Sequence, residues 1–181
     1  KEGGIQFGCS LDGTFDVVSA VRKVTRLPII PKLTPNVTSV SSFAKASEDA
    51  GADAVSLVNT FLALAIDVET RLPKISNGMG GLSGPAIRPI AVRMVHECHQ
   101  TVRIPVIGMG GITDARDALE FIIAGATAVQ VGTAHFVDPF LWPKLVDGIR
   151  DYLTRHDIAR VQDLVGAVRS RGAVVANSDL A

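Results

Sequence analysis

The sequence predicts an α/β fold in which parallel strands alternate with outer helices, and three observations support this fold class. Short runs of apolar, β-branched residues have the composition of buried parallel strands. Between them lie longer stretches in which apolar residues recur every three or four positions, as in amphipathic helices. The chain has 181 residues, of which 47% are hydrophobic and 20% charged, which suffices for one globular domain with a core.

The first two strand and helix pairs lie before residue 59. We predict a helix over 15–25, whose apolar side carries Val17, Val18, Val21 and Val24. A strand over 28–33 follows, then a helix over 39–50, which Gly51 would terminate. A second strand is predicted over 53–58.

A long glycine-rich connection, from 59 to about 85, separates these elements from the rest of the chain. The elements predicted beyond it are a helix over 87–101 with Pro89 in its first turn, a strand over 105–108, a helix over 114–124 with Thr113 or Asp114 as N-cap and Gly125 after its end, a strand over 126–131, and helices over 141–153 and 158–168. The tail after Arg169 has no clear pattern.

Repeated strand–helix–strand connections predict a parallel sheet with helices outside it. Four strands cannot close a (β/α)8 barrel, which needs eight strands and roughly 250 residues. The alternatives are a complete small α/β sheet and half of a barrel. The first residue is Lys1 rather than Met, which favours the C-terminal half of a (β/α)8 TIM barrel whose N-terminal half is absent. We expect 1–181 to be a single domain, a partial barrel with a weakly structured tail over 169–181.

The composition argues against several classes of protein. The 18 Lys and Arg residues balance the 18 Asp and Glu residues, so charge gives no reason to expect a nucleic-acid or membrane partner. No segment is long and apolar enough to span a bilayer. Cys9 and Cys98 are too few for a disulfide-stapled scaffold. His96, Cys98 and His99 lack the i, i+4 spacing of a helical zinc site, and we predict no metal.

Two glycine-containing loops predict a phosphate site. The GMGG loop at 108–111 follows the third predicted strand, and Gly132-Thr133 follows the fourth. Glycines let backbone N–H groups approach a phosphate closely, and a following helix adds a favourable dipole. Phosphate sites of (β/α)8 enzymes often use the loops after strands 7 and 8. Tight turns are the alternative for either loop alone, and their pairing favours the phosphate site.

Other places in the sequence are candidates for ligand contacts. Lys32 ends an apolar strand, where its ammonium would face an anionic ligand such as a reduced flavin; a salt bridge or a snorkelling side chain is the alternative. Asn59 and Thr60 follow the second strand and suit a carboxylate or a pyrimidine edge, although an ordinary polar turn is the alternative. The GGLSGP loop at 80–85 suits packing against a flat ligand, or is a plain linker.

Together these motifs resemble class 1B dihydroorotate dehydrogenase. The matching stretches are KEGGIQFG at 1–8, KLTPNVT at 32–38, Asn59-Thr60, GGLSGPAI at 80–87, GMGGI at 108–112 and VGTA at 131–134. The resemblance runs in order from residue 1 to about 168. It implies an oxidoreductase of the cytoplasm that oxidises (S)-dihydroorotate to orotate in de novo pyrimidine (UMP) biosynthesis. Hydride would pass to N5 of FMN, and electrons then to NAD.

The resemblance also implies roles for individual residues. The residues that would bind FMN are Lys32, Val58, Gly84, Gly110, Gly111, Gly132 and Thr133. Asn59 and Thr60 would bind the substrate. The family's catalytic base is a cysteine in a Ser-Cys-Pro-Asn loop just upstream of the Lys-Glu-Gly-Gly stretch, so it would lie before Lys1. Cys9 does not match that loop, and we expect this fragment to be inactive alone.

A partner subunit with FAD and a [2Fe–2S] cluster is a further implication of the resemblance, with the catalytic subunit a homodimer within a heterotetramer. Cys9 and Cys98 are too few to hold such a cluster, so it would belong to the partner. The alternatives are a class 1A enzyme that uses fumarate, a dihydropyrimidine dehydrogenase domain, a non-redox phosphate-binding barrel and a non-catalytic half-barrel. Pro31 departs from the usual aliphatic residue before Lys32 and removes one ladder N–H.

Overall fold

A computed structural model of the chain describes residues 7–169 and contains a four-stranded parallel sheet. Its strands are β1 (Lys32–Leu33), β2 (Val55–Leu57), β5 (Val106–Met109) and β6 (Ala128–Gln130). They are adjacent in that order, so each strand pairs with the next parallel strand along the chain. Two further strands, β3 (Phe61–Ala63) and β4 (Gly80–Leu82), form a separate antiparallel pair.

Helices connect the parallel strands and cover the sheet. They are α1 (Leu11–Val24), α2 (Val40–Asp49), α3 (Arg88–Thr101), α4 (Ala115–Ala124), α5 (Thr133–Val137) and α6 (Leu141–Arg155). Helix α2 packs against α1 and α3, α3 packs against α4, and α4 packs against α6. This arrangement confirms the predicted parallel α/β class with outer helices.

The core lies between the sheet and the inner faces of these helices. Its fully buried side chains come from β2, β5 and helices α2, α3, α4 and α6, and include Val55, Leu57, Val95, Val106 and Phe121. Burying one such aliphatic side chain is worth about 1.5–3 kcal/mol, so this layer stabilises the sheet. The apolar periodicity of the sequence therefore marks the side of each helix that packs on the strands.

Several predicted helix ends are confirmed. The Asp114 side chain caps α4 by accepting hydrogen bonds from the N–H groups of Arg116 (2.8 Å) and Asp117 (3.0 Å). Gly125 follows the same helix with φ +126°, and Gly51 follows α2 with φ +94°. Both angles lie in a region that disfavours residues with a Cβ atom, which explains why glycine ends these helices.

Four predicted elements need correction. Helix α1 begins at Leu11 instead of 15, because the Ser10 hydroxyl caps it by accepting from Gly13 N–H at 3.2 Å. The sheet segment expected over 28–33 is reduced to Lys32–Leu33, directly after Pro31. The connection from 59 to 85 contains the β3–β4 pair rather than loop alone. The helix expected over 158–168 is wrong, since only a 3₁₀ turn, Val161–Leu164, forms there.

Two stretches of the chain that carry sequence predictions lie largely outside the described residues. They are most of the KEGGIQFG stretch, at 1–6, and most of the expected tail, at 170–181. Between residues 7 and 169, no helix combines the length and the apolarity needed to cross a membrane.

Candidate active site

One large cavity opens at the C-terminal ends of the parallel strands. Its volume is about 1100 Å³, near the upper end of the range for small-molecule sites. All nine residues expected to bind FMN or substrate line it, namely Lys32, Val58, Asn59, Thr60, Gly84, Gly110, Gly111, Gly132 and Thr133. The carboxyl ends of parallel strands meet at one edge of a sheet, which explains how such distant residues converge.

Free backbone donors line the cavity at the two glycine loops. Within residues 7–169, the N–H groups of Gly110, Gly111, Gly132 and Thr133 donate to no carbonyl or side chain. Gly110 and Gly111 are half-buried and Gly132 and Thr133 are exposed, so these four donors are open to a ligand or to solvent. A Cβ atom added to Gly132 would meet no heavy atom within 4 Å, so the space beside that glycine is open. Four free donors beside open space fit a phosphate group.

Gly111 lies where the two glycine-rich loops approach each other. Its φ is +74°, and a Cβ atom there would lie 2.6 Å from the Gly84 carbonyl oxygen. Both the backbone angle and the close approach therefore require glycine. The GMGG and GGLSGP loops can touch only because this position has no side chain.

An ion pair between a half-buried arginine and a buried aspartate anchors the same two loops. Arg88, at the start of α3, pairs with Asp117 of α4, whose carboxylate accepts from Thr113 N–H (2.8 Å) and Thr113 Oγ1 (2.6 Å). Burial opposes ionisation of Asp117, but the hydrogen bonds from Thr113 and the Arg88 charge outweigh it and hold the pKa of that carboxyl below its ordinary value. Since Thr113 lines the cavity, this network fixes the end of the GMGG loop.

The GGLSGP loop is also tied to the loop after β6. Thr133 Oγ1 donates to Ser83 Oγ at 2.9 Å, across fifty positions of sequence. Ser83 lines the cavity, although the sequence singled out only its neighbour Gly84. This hydrogen bond links the GGLSGP loop to the loop after β6 beside the open space at Gly132.

Lys32 and Val58 approach the cavity from neighbouring strands. Lys32 is exposed, and within the described chain it makes no ion pair, so the salt bridge considered for it is not seen there. Val58 is buried, and its N–H donates to the Met109 carbonyl at 3.1 Å. The Leu57–Val58 peptide bond is cis. A free ammonium and a buried apolar wall suit a flat ligand that carries negative charge.

Asn59 and Thr60 follow β2 at the same edge. Asn59 N–H donates to the Leu33 carbonyl at 3.3 Å, which ties this segment to β1. Between residues 7 and 169, neither the side-chain amide of Asn59 nor the side-chain hydroxyl of Thr60 makes a hydrogen bond, so both groups are available to a ligand. The cavity therefore offers uncharged donors and acceptors beside the Lys32 cation.

Several cavity residues were not predicted from the sequence, including Cys9, Asn36, Thr113 and Gln130. Cys9 precedes the first strand, so strand ends could not place it. Asn36 stands three residues beyond β1, where side-chain direction depends on the turn. Gln130 is a polar residue in an otherwise apolar strand segment, and this feature of the sequence could have marked it as a cavity residue.

The histidine and cysteine group at 96–99 does not converge on one point. The His96 ring lies 3.2 Å from the Ala124 carbonyl oxygen, whereas Cys98 is buried in the core. Burial, with a smaller contribution from Glu97, raises the pKa of the Cys98 thiol to about 12. Among the residues described, no three His, Cys, Asp or Glu side chains are placed to hold a metal ion.

Comparison with known proteins identifies the family. The family model described as dihydroorotate dehydrogenase matches residues 1–153. The chain is 53% identical over 168 residues to the dihydroorotate dehydrogenase B (NAD(+)) catalytic subunit of Caldicellulosiruptor bescii, covering 93% of this chain and 56% of that protein. It is 54% identical over 168 residues to the subunit of the same name from Geotalea uraniireducens, covering 93% of this chain and 55% of that one.

A solved structure shows the same fold. It is the Eimeria tenella dihydroorotate dehydrogenase in complex with ferulenol, with a TM-score of 0.73 and 23% identity over 87% of this chain and 48% of that one. The chain spans about half the length of the curated relatives it matches. A match over most of the chain and identity above 50% lead to one conclusion: this chain belongs to the dihydroorotate dehydrogenase family.

Proposed function

We propose that this chain supplies the FMN phosphate site and part of the substrate site of a class 1B dihydroorotate dehydrogenase. The observation that carries the proposal is the convergence of all nine expected residues on one cavity. The full-length protein would oxidise (S)-dihydroorotate to orotate for pyrimidine biosynthesis. The described residues belong to a single domain, a partial barrel, in this proposal.

FMN fits the residues of the cavity. Gly110, Gly111, Gly132 and Thr133 would hold the phosphate through their free N–H groups. Lys32 would place its positive charge beside the isoalloxazine, with Val58 and Gly84 against the same ring system. When bound, FMN supplies hydride acceptance, which no amino-acid side chain can perform.

Asn59 and Thr60 would bind the substrate. The Asn59 amide offers two donors and an acceptor, and the Thr60 hydroxyl offers one donor, which match the carboxylate and ring amides of a dihydropyrimidine. Their task is orientation, since a fixed ring would present one face to the flavin position. Because both residues precede β3, the position of that strand sets where they lie.

No described residue is assigned as the catalytic base in this proposal. Cys9 is the thiol of the cavity, but it is exposed and has no hydrogen-bonding partner within 7–169 that would activate it. The base would be the cysteine of a Ser-Cys-Pro-Asn loop elsewhere in the full-length protein. This assignment makes the isolated chain inactive in proton abstraction.

The names of the relatives support a proposal for the electron acceptor and the partner. Several are named NAD(+)-dependent catalytic subunits, which supports NAD as the acceptor here and a second subunit to reach it. We propose that this partner carries FAD and a [2Fe–2S] cluster, that two catalytic subunits assemble with two partners, and that the complex is cytoplasmic.

The test uses the full-length protein purified with any co-encoded subunit. Dihydroorotate is added without oxygen while the flavin absorbance is followed. Rapid bleaching, followed by reoxidation with NAD but not fumarate, is the expected result. Bound flavin that stays oxidised would overturn the substrate, reoxidation by fumarate would indicate a class 1A enzyme, and absence of flavin would leave a non-redox barrel.

A further inference from the structure

Asn36 occupies a position that the proposed function does not use. It lies beyond the end of β1, lines the cavity, and contacts the segment that follows Asn59. Its Nδ2 donates to the Thr60 carbonyl at 3.0 Å, and its Oδ1 accepts from Leu62 N–H at 2.9 Å. One side-chain amide thus bonds the two peptide groups on either side of Phe61.

This pair of bonds repeats the pattern of a parallel strand. In a parallel ladder, one residue donates to the carbonyl before its partner and accepts from the N–H after it, which gives slanted bonds. Asn36 does so with its side chain opposite Phe61, whose ring packs against the core. The backbone cannot do so because β1 has ended at Leu33 and the buried Pro35 has no N–H.

The turn that carries Asn36 is itself fixed. Thr34 Oγ1 accepts from the Asn36 N–H at 3.3 Å and from Asn36 Nδ2 at 3.2 Å. Thr34 comes two residues after Lys32, so the amide is set by the strand that carries the cationic side chain of the cavity. The Asn36 amide is therefore bonded on one side to the turn after β1 and on the other to β3 and the residue before it.

On its other side, the segment is confined by β4. A Cβ atom added to Gly81 would lie 2.6 Å from the Thr60 Cβ, so the β4 backbone packs directly on the Thr60 side chain. Gly81 also pairs with Leu62 in the β3–β4 ladder. Thr60 is thus held by its backbone through Asn36 and by its side chain through Gly81.

We propose that Asn36 is a positioning residue that holds the substrate-binding pair Asn59 and Thr60 at the cavity edge shared with Lys32. This inference rests on the proposed function and adds a residue to it. Asn36 itself need not touch the substrate. Removal of its amide would free the Thr60 carbonyl and Leu62 N–H and would let the segment shift, while the phosphate loops, on β5 and β6, stay in place.

The test compares Asn36→Ala with Asn77→Ala in the full-length, FMN-loaded protein. Both changes remove a side-chain amide without adding charge. Asn77 lies in the connection between β3 and β4 but does not line the cavity. Orotate binding is measured by its perturbation of the flavin spectrum, and the limiting rate of flavin reduction by dihydroorotate is measured without oxygen. Hydrogen exchange is followed in a peptide that contains Leu62.

For Asn36→Ala we expect the orotate Kd to rise about tenfold, with faster exchange at Leu62, because the hydrogen bonds to the Thr60 carbonyl and from the Leu62 N–H are both lost. FMN content and melting temperature should stay near those of the parent protein, whereas the limiting reduction rate should fall because the substrate ring is less well oriented. Asn77→Ala should match the parent throughout. Thr34→Val, which keeps the amide but removes its support, should shift the Kd in the same direction by less.

Two results would overturn the inference while leaving the proposed function standing. One is an Asn36→Ala protein that binds orotate as tightly as the parent. The other is a parallel loss of FMN, melting temperature and orotate affinity, which would make Asn36 a general structural residue. A parent protein whose flavin does not respond to orotate would instead overturn the proposed function, and the inference with it.

Discussion

Asp117 is a buried carboxylate that fixes the end of the GMGG loop at the cavity. Only 4% of the residue is exposed, and it bonds both Thr113 and Arg88. We expect Asp117→Asn to lower the free energy of unfolding by about 1–3 kcal/mol at pH 7, because Arg88 loses its buried partner and keeps only the exposed Glu120. Arg88 Nε already lacks a hydrogen-bond acceptor among the described residues, although Glu120 lies 3.3 Å away. Urea unfolding of the full-length protein would measure the change.

The pH dependence of this difference follows from the sign of the pKa shift. The folded-state pKa of Asp117 lies below its ordinary value of 3.8, so its contribution is complete above that value and is lost as pH falls through the folded-state pKa. The difference in free energy of unfolding between the parent protein and Asp117→Asn should therefore persist at neutral pH and disappear under strongly acidic conditions. Asp147→Asn is the control, since its ion pair with Arg150 is exposed and worth little. Equal effects of the two changes would refute the role of burial.

The two cysteines should differ in reactivity. Cys98 is fully buried, with its pKa raised to about 12, whereas Cys9 is exposed at the cavity. At pH 8 we expect iodoacetamide to label Cys9 and to leave Cys98 unmodified until the protein unfolds. Peptide mass spectrometry of the native full-length protein would measure both, and FMN with orotate should slow the Cys9 reaction. Labelling of native Cys98 at a comparable rate would contradict the placement of α3 in the core.

At the scale of single residues, strand ends were the useful signal. Lys32, Asn59 and the glycines after β5 and β6 were predicted because each lies at or directly after the end of a predicted strand, and all line the cavity. Asn36 and Cys9 were not, because turn geometry and a position before the first strand carry no such signal. The sequence pattern thus predicts which residues meet at a sheet edge. It does not predict which side chains make hydrogen bonds in place of a strand backbone, as Asn36 does.

At the scale of elements, the approach of the GMGG and GGLSGP loops yields a sharp prediction. Gly111 and Gly78 have nearly the same φ, +74° and +76°, but a Cβ atom at Gly111 would lie 2.6 Å from Gly84 O, whereas at Gly78 nothing lies within 4 Å. We expect Gly111→Ala to lose FMN affinity by about a hundredfold or more, since alanine there must move a loop. Isothermal titration of FMN into the full-length apoprotein would measure this.

Gly78→Ala is the matched control for backbone strain. It carries the same unfavourable φ, which costs about 1 kcal/mol, but lies in open space outside the cavity. We expect a slightly lower melting temperature and unchanged FMN affinity. If both variants lost FMN equally, the strained angle and not the contact with Gly84 would be responsible.

Helix boundaries were predicted well at Asp114, Gly125 and Gly51 and poorly at the start of α1, where Ser10 was not recognised as the cap. Asp114, Gly125 and Gly51 mark helix ends in the sequence and in the structure. The β3–β4 pair was missed because each strand has three residues and β4 begins with two glycines, which have low strand propensity. The helix expected over 158–168 does not form. The apolar residues of this segment pack into the core from backbone that is not α-helical, and Gly166 within it has a φ of +72°, which an α-helix does not contain.

At the scale of the whole molecule, the sheet has two unpaired edges. Among the described strands, β1 pairs only with β2 and β6 only with β5. Large apolar side chains are exposed in the segments before β1 and after β6, including Leu27 at 72%, Phe136 at 90% and Phe140 at 74%. Exposed edges and apolar patches promote association between chains. The formal net charge of zero at pH 7 provides no repulsion to oppose it.

We therefore expect the isolated 181-residue chain to self-associate and to bind a hydrophobic dye, because its strand edges and apolar faces have no partner within the described residues. Size-exclusion chromatography with light scattering would measure the association. Co-expression with the remaining part of a full-length relative should yield a soluble complex, since strands from that part would pair with β1 and β6 and cover Leu27 and Phe136. A monomeric isolated chain that melts cooperatively would show instead that four strands form a complete fold. That result would remove the reason to treat the cavity as one part of a larger site.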